Sequence, residues 1–158
     1  MKRTKHQGYT LLDALMAHAT APMAPAKYST QLIKMWDALA AIESAPAPTR
    51  DHWRLCSDAI NLMESLLVMG HIDDQGGTLP TAVLAMAEAG RRTHTTGLAI
   101  RLSGPGITAV RTVLEGYAQT LAHLPERTMI QAHRATESRI RAIQCGRGRA
   151  HDVEVVVL

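Results

Sequence analysis

What most constrains this chain is the spacing of its apolar residues, which step by three and four over most of its length, with proline and glycine as punctuation. The spacing is cleanest in Ile107, Val110, Leu114, Tyr117, Leu121 and Leu124, which fall on one side of a helix and of no strand. Ser103-Gly104-Pro105-Gly106 before them is a helix-start signal, and Pro125 after them resets the backbone. The same reading predicts a short first helix over Tyr9 to Thr20, carrying Leu11, Leu12, Leu15 and Met16, ended by Pro22 and Pro25. A second helix runs from Ser29 to Ser44, where Pro46 and Pro48 stop it, and a third from Arg50 to Met69, with Thr49 as N-cap. The third is apolar on two sides, through Trp53, Cys56, Ile60 and Met63 and through Leu55, Ala59, Leu62 and Leu66, so it belongs at the centre. A fourth runs from about Pro80 to His94, and the last from beyond Pro125 to Gln144.

Two segments break the helical pattern. Leu98 to Leu102 alternates and Val153 to Leu158 is β-branched, so both are expected to be strands that pair with each other or leave the tail as an edge open to another chain. The expected fold is mainly α: one compact domain of five or six helices with a small two-stranded β element near the C-terminus. Residues 1–8 are expected to form a flexible basic N-terminus, and residues 146–158 a Gly/Arg turn followed by the strand.

Composition supports a folded core, since 46% of the 158 residues are hydrophobic and 20% charged. No apolar run approaches the roughly 20 residues that cross a bilayer, and the N-terminal residues lack a leader pattern. A cytoplasmic protein without membrane attachment is expected, with Cys56 and Cys145 as reduced thiols. The 13 arginines against 4 lysines reflect a bias that a GC-rich genome produces without selection on function.

Charge is unevenly distributed. Residues 6–90 carry a net −5 and residues 91–149 a net +7, from ten arginines against three glutamates. Such asymmetry marks an anionic partner. Arg127, Arg134 and Arg141 recur every seven residues in one stripe of the last helix, with Arg139, Arg147 and Arg149 nearby in sequence. These six are the candidate contacts to phosphates or to an acidic protein surface. The plainer alternative is a solvated face with Glu137 beside Arg141. The five aromatic residues are not interleaved with the stripe, which disfavours a base-stacking platform.

Other motifs have structural readings at least as good as their chemical ones. His52 and Cys56 have the spacing of two zinc ligands, but no second close pair completes a site. His133 with Glu137 one turn on has the geometry of a positioned base, yet no nucleophile accompanies it. Asp73 and Asp74 read as turn formers, and Ser103 to Gly106, with Arg101 nearby, as a helix cap rather than an anion site. The methionines, among them Met16, Met35, Met63, Met69, Met86 and Met129, are expected to fill a core that has no phenylalanine. No metal or cofactor is expected, and no division into nucleophile, base and stabiliser suggests an enzyme.

Two functions follow. The first is a small non-enzymatic regulatory protein that binds nucleic acid through its arginine-rich half. The alternative is a protein-interaction module, an adaptor or a phage- or host-encoded inhibitor, that docks on an acidic protein or adds its C-terminal strand to a partner sheet. Edge pairing of the tail, or acidic half against basic half across a two-fold axis, would also give a homodimer.

Overall fold

Where proline or glycine interrupts the apolar spacing, the backbone turns, and the segments between fold as helices. The computed structural model describes residues 8–74 and 76–147. The described elements are α1 (Leu11–Met16), a 3-10 turn (Pro25–Lys27), α2 (Ser29–Ser44), α3 (Arg50–Val68), α4 (Thr78–Thr96), α5 (Gly104–His123) and α6 (Glu126–Gln144). The expected second, third, fifth and sixth helices are found to within about a residue or two at each end.

The apolar rows of α3 lie against neighbours on both flanks, and α3 packs on α2, α4, α5 and α6. Cys56, Ile60, Leu62 and Leu66 of α3 meet Met35 and Ile42 of α2, Met86 of α4, Val110 and Leu114 of α5, and Met129 of α6 in one core. Nearby side chains cap the N-termini of α3, α4 and α5. Thr49 and His52 form a reciprocal box at the start of α3, in which the Thr49 amide donates to His52 Nδ1 at 3.0 Å. Asp74 accepts from the amides of Thr78 and Leu79, both at 3.1 Å, so α4 starts two residues before Pro80. Ser103 Oγ accepts from the Gly106 amide at 3.2 Å, the helix-cap reading of this segment. Gly106 also lets α5 approach α4 closely, because a Cβ there would stand 2.9 Å from Ala85 Cβ.

Three expectations are corrected. The first helix is shorter than Tyr9 to Thr20, because residues beyond Met16 give their carbonyls to another helix. Ala21 and His18 accept from the amides of Glu126 (2.9 Å) and Arg127 (3.0 Å), satisfying the first turn of α6 from outside. Leu98 to Leu102 is not a strand, and no strand occurs among the described residues. Its alternation serves as a tether: Ile100 is 3% exposed, and the Arg101 guanidinium donates to the carbonyls of Ile42 (3.0 Å), Ala45 and Pro46 (3.2 Å) at the end of α2. Arg92 in turn donates to the Arg101 carbonyl. The other expected strand, Val153 to Leu158, lies outside the described residues, as does most of the expected basic N-terminus. Met16, finally, is not core filler but 78% exposed.

Candidate functional site

The joint between α1 and α6 brings most of the unusual chemistry together. Thr10 and Asp13 open α1 with a capping box: the Asp13 carboxylate accepts from the Thr10 amide at 2.6 Å and hydroxyl at 2.7 Å, which holds its pKa below the ordinary value. At the other end Arg127 donates to the carbonyls of Leu15 (3.2 Å) and Ala17 (3.1 Å). Between them Ala14 and Ala17 pack on Ile130. The two helices run antiparallel, because His18 meets Arg127 while Gly8 abuts Glu137, whose Oε2 would stand 2.5 Å from a Cβ on that glycine.

Only Ala14 of α1 is buried. Leu11, Leu12, Leu15 and Met16 are 59%, 66%, 63% and 78% exposed, a row of large apolar side chains on a helix of six residues. Scattered exposed leucines are ordinary, but four large apolar side chains within one short helix form a contiguous exposed patch.

The five candidate arginines among the described residues do not form one surface. Arg127 is committed to the end of α1. Arg139 lies two residues from Arg141, hence on the far side of α6, where it donates to the Asn61 carbonyl at 3.1 Å and lies 3.4 Å from Glu64. Arg134 and Arg141 continue along the edge of α6 that Arg127 uses to hold α1, the first half-buried and the second exposed. Arg147 is exposed just past the helix end, and Arg149 is outside the described residues. Both acids of α6 are turned away from its solvent face. Glu126 is 5% exposed and accepts from Lys27 Nζ at 2.6 Å, the contact that chiefly lowers its pKa. Glu137 lines a cavity.

That cavity, about 360 Å³, lies among the residues before α1, the 3-10 turn and helices α2, α3, α5 and α6. His133 lies in its wall with the Tyr9 ring 5.2 Å away and tilted by 52°, and Lys27, Asp58, Tyr28 and Tyr117 are among the other polar side chains of the lining. Burial, with the nearby charges of Tyr9 and Asp58, pushes the Tyr117 hydroxyl up to about 12. His133 and Glu137, weighed in sequence as an acid–base pair, are therefore parts of a larger polar wall whose other members come from elements far apart in the chain.

The remaining motifs are structural. His52 caps α3, and Cys56 is fully buried, its thiol pushed up to about 12 chiefly by burial. Among the described residues no three His, Cys, Asp or Glu side chains are placed to hold a metal ion, and no helix is long and apolar enough to cross a membrane. No protein-family description, curated protein or solved structure matches the chain.

Proposed function

We propose that this protein is a non-enzymatic interaction module that docks on an acidic, amphipathic segment of a protein partner. The observation that carries the reading is the row Leu11, Leu12, Leu15 and Met16, exposed on a helix whose last carbonyls Arg127 holds and whose alanine side packs on Ile130. Heptad spacing sets Arg134 and Arg141 along the bordering edge of α6, and Asp13, the one acid of α1, has its carboxylate turned to its own cap. Apolar anchors beside unopposed guanidinium groups favour a partner that presents apolar residues flanked by carboxylates. Affinity capture from the native cell with the wild type, Leu12→Ser/Met16→Ser and Arg134→Glu/Arg141→Glu tests it. The expected result is a partner lost by both double variants, whose contact segment maps to an acidic amphipathic stretch. Retention by both variants, or a basic contact segment, overturns the reading.

A second reading, nucleic-acid binding, is favoured by the absence of acids from the solvent face of α6 between Gln131 and Gln144. With Arg127 and Arg139 committed elsewhere, Arg134, Arg141 and Arg147 leave about three phosphate contacts. Affinity should then fall about 40-fold between roughly 50 and 200 mM salt. Fluorescence anisotropy with duplex DNA and single-stranded RNA measures that slope. Absence of binding at the lower salt removes this reading and leaves the protein-docking one standing.

A further inference from the structure

Gly97 turns the chain out of α4 with a left-handed φ of 69°, and residues 97–100 then line, with the end of α4 and the start of α3, a second cavity of about 370 Å³. Its walls are largely apolar: the buried Trp53, Ile100 and Pro48, with Ala99 and the exposed Leu98. The Trp53 ring is fixed in place, because its Nε1 donates to the Met86 carbonyl at 2.9 Å. The polar side chains of the lining are Arg50, Thr93 and His94, and no carboxylate is among the described residues that line it. Arg50 is exposed and has no ion pair among the described residues; the acid beside it, Asp51, stands 3.7 Å from Arg54 instead. Arg50 is also the first residue of α3, where a cation opposes the helix dipole, and Arg54 one turn on carries the same sign. Helix stability therefore does not account for it. Thr93 Oγ1, in the same wall, is buried without a hydrogen-bond partner. The start of α3 and the end of α4 bring opposite half-charges of roughly equal size, so the guanidinium sets the sign of the cavity.

We propose that this cavity binds a small carboxylate carried on a compact apolar body, the acid at Arg50 and the body against Trp53 and Ile100. A guanidinium holds a carboxylate through two parallel N–H bonds, a geometry that selects it over neutral molecules and cations. Thr93 and His94 add hydrogen-bonding groups to the same wall. The selection does not depend on the protonation of His94, since Arg50 stays charged throughout and no acid of the lining opposes it. The volume, about 370 Å³, sits at the low end of the roughly 300–1,000 Å³ of small-molecule sites and suits a ligand with a single ring. The site is independent of the docking surface, because none of Leu12, Leu15, Met16, Arg134 and Arg141 lines it.

Titration calorimetry of the full chain with phenylacetate, 2-phenylacetamide and phenethylammonium tests the proposal, since the three probes share a ring and differ in charge. The expected result is a Kd of about 1 mM or tighter for phenylacetate, binding at least about tenfold weaker for the amide, and none for the ammonium. Arg50→Gln should weaken phenylacetate about tenfold, to the level of the amide, with helical circular dichroism unchanged, because it removes a cation from the first turn of α3. Leu98→Glu sets an opposing charge in the lining at an exposed position and should weaken phenylacetate about fivefold or more with Arg50 in place. Equal or tighter binding of the amide or the ammonium overturns the proposal. So does no phenylacetate binding at about 10 mM, or wild-type affinity in Arg50→Gln or Leu98→Glu.

Discussion

Lys27 Nζ stands 2.6 Å from Glu126 Oε1, joining the turn before α2 to the first residue of α6 across 99 positions of sequence. The Glu126 side chain is 7% exposed and that of Lys27 58%, so the pair is anchored on the acid. Glu126 also accepts from the His18 amide at 3.3 Å, which makes it the peg on which the segment between α1 and α2 hangs. Because Lys27 holds the folded Glu126 below its ordinary value of 4.5, the unfolded chain binds more protons in that range. The contribution is complete above pH 4.5 and is lost as pH falls through the folded value. Hydrogen exchange of residues 18–27 should therefore accelerate on acidification before that of α3. Glu126→Gln should bring that acceleration to neutral pH at a cost of about 1 kcal/mol, the screened value for a pair with one partner in solvent.

Arginines of one stripe should separate by experiment. Arg127 donates to two carbonyls left open by the end of α1, so Arg127→Ala should destabilise the protein by about 1–3 kcal/mol in urea unfolding. Arg134→Ala and Arg141→Ala should change stability by no more than about 0.5 kcal/mol, because their heads hold no capping carbonyl. Binding to the partner should show the reverse order. A stripe serving wholly as a phosphate surface would show three equal, small stability effects.

Helix positions were readable because each segment carries its own periodicity and its own stop: Pro46 and Pro48 end α2, and Pro125 separates α5 from α6. What the sequence concealed depends on partners distant in the chain. Leu12 and Met16 have a core-like spacing, and only the packing of α1 by its alanine side, Ala14 and Ala17 on Ile130, leaves them in solvent. The compositional signal was there in the small residues between the leucines, but it has meaning only once the neighbouring helix is known. Arg101 looked like the polar member of a strand alternation, because the open carbonyls of Ile42 and Pro46 that it serves lie more than fifty residues upstream. The cavity wall assembles Tyr9, Asp58, Tyr117 and Glu137, no two of which share an element, so no local motif announces it.

Asn61 is 1% exposed on α3, and neither its Oδ1 nor its Nδ2 has a hydrogen-bond partner. A buried amide of this kind forfeits about 1–3 kcal/mol of hydration, and leucine has nearly the same shape. Asn61→Leu should therefore raise stability by about 1–2 kcal/mol, seen as a melting temperature higher by about 2–4 °C per kcal/mol in a chain of this size. Its main-chain carbonyl would still receive Arg139, so the α3–α6 contact should survive. A fall in melting temperature would mean that the amide is engaged in solution, through water or a ligand.

Tyr117 sets the alkaline limit. It is 5% exposed, and burial raises its hydroxyl from 10.0 to about 12. In the unfolded chain the same group ionises at its ordinary value, so between the two the unfolded state binds fewer protons than the folded one. Stability from this residue is thus complete below pH 10.0 and declines as pH rises toward about 12. The full difference is about 2–3 kcal/mol on the scale of one proton's worth per pH unit. Urea midpoints measured from about pH 9 to 11 should fall in the wild type and much less in Tyr117→Phe, which keeps the ring and removes the titrating oxygen. Parallel curves for the two proteins would show that the alkaline loss belongs to another group, with Lys27, whose pKa Glu126 raises above 10.5, next in line.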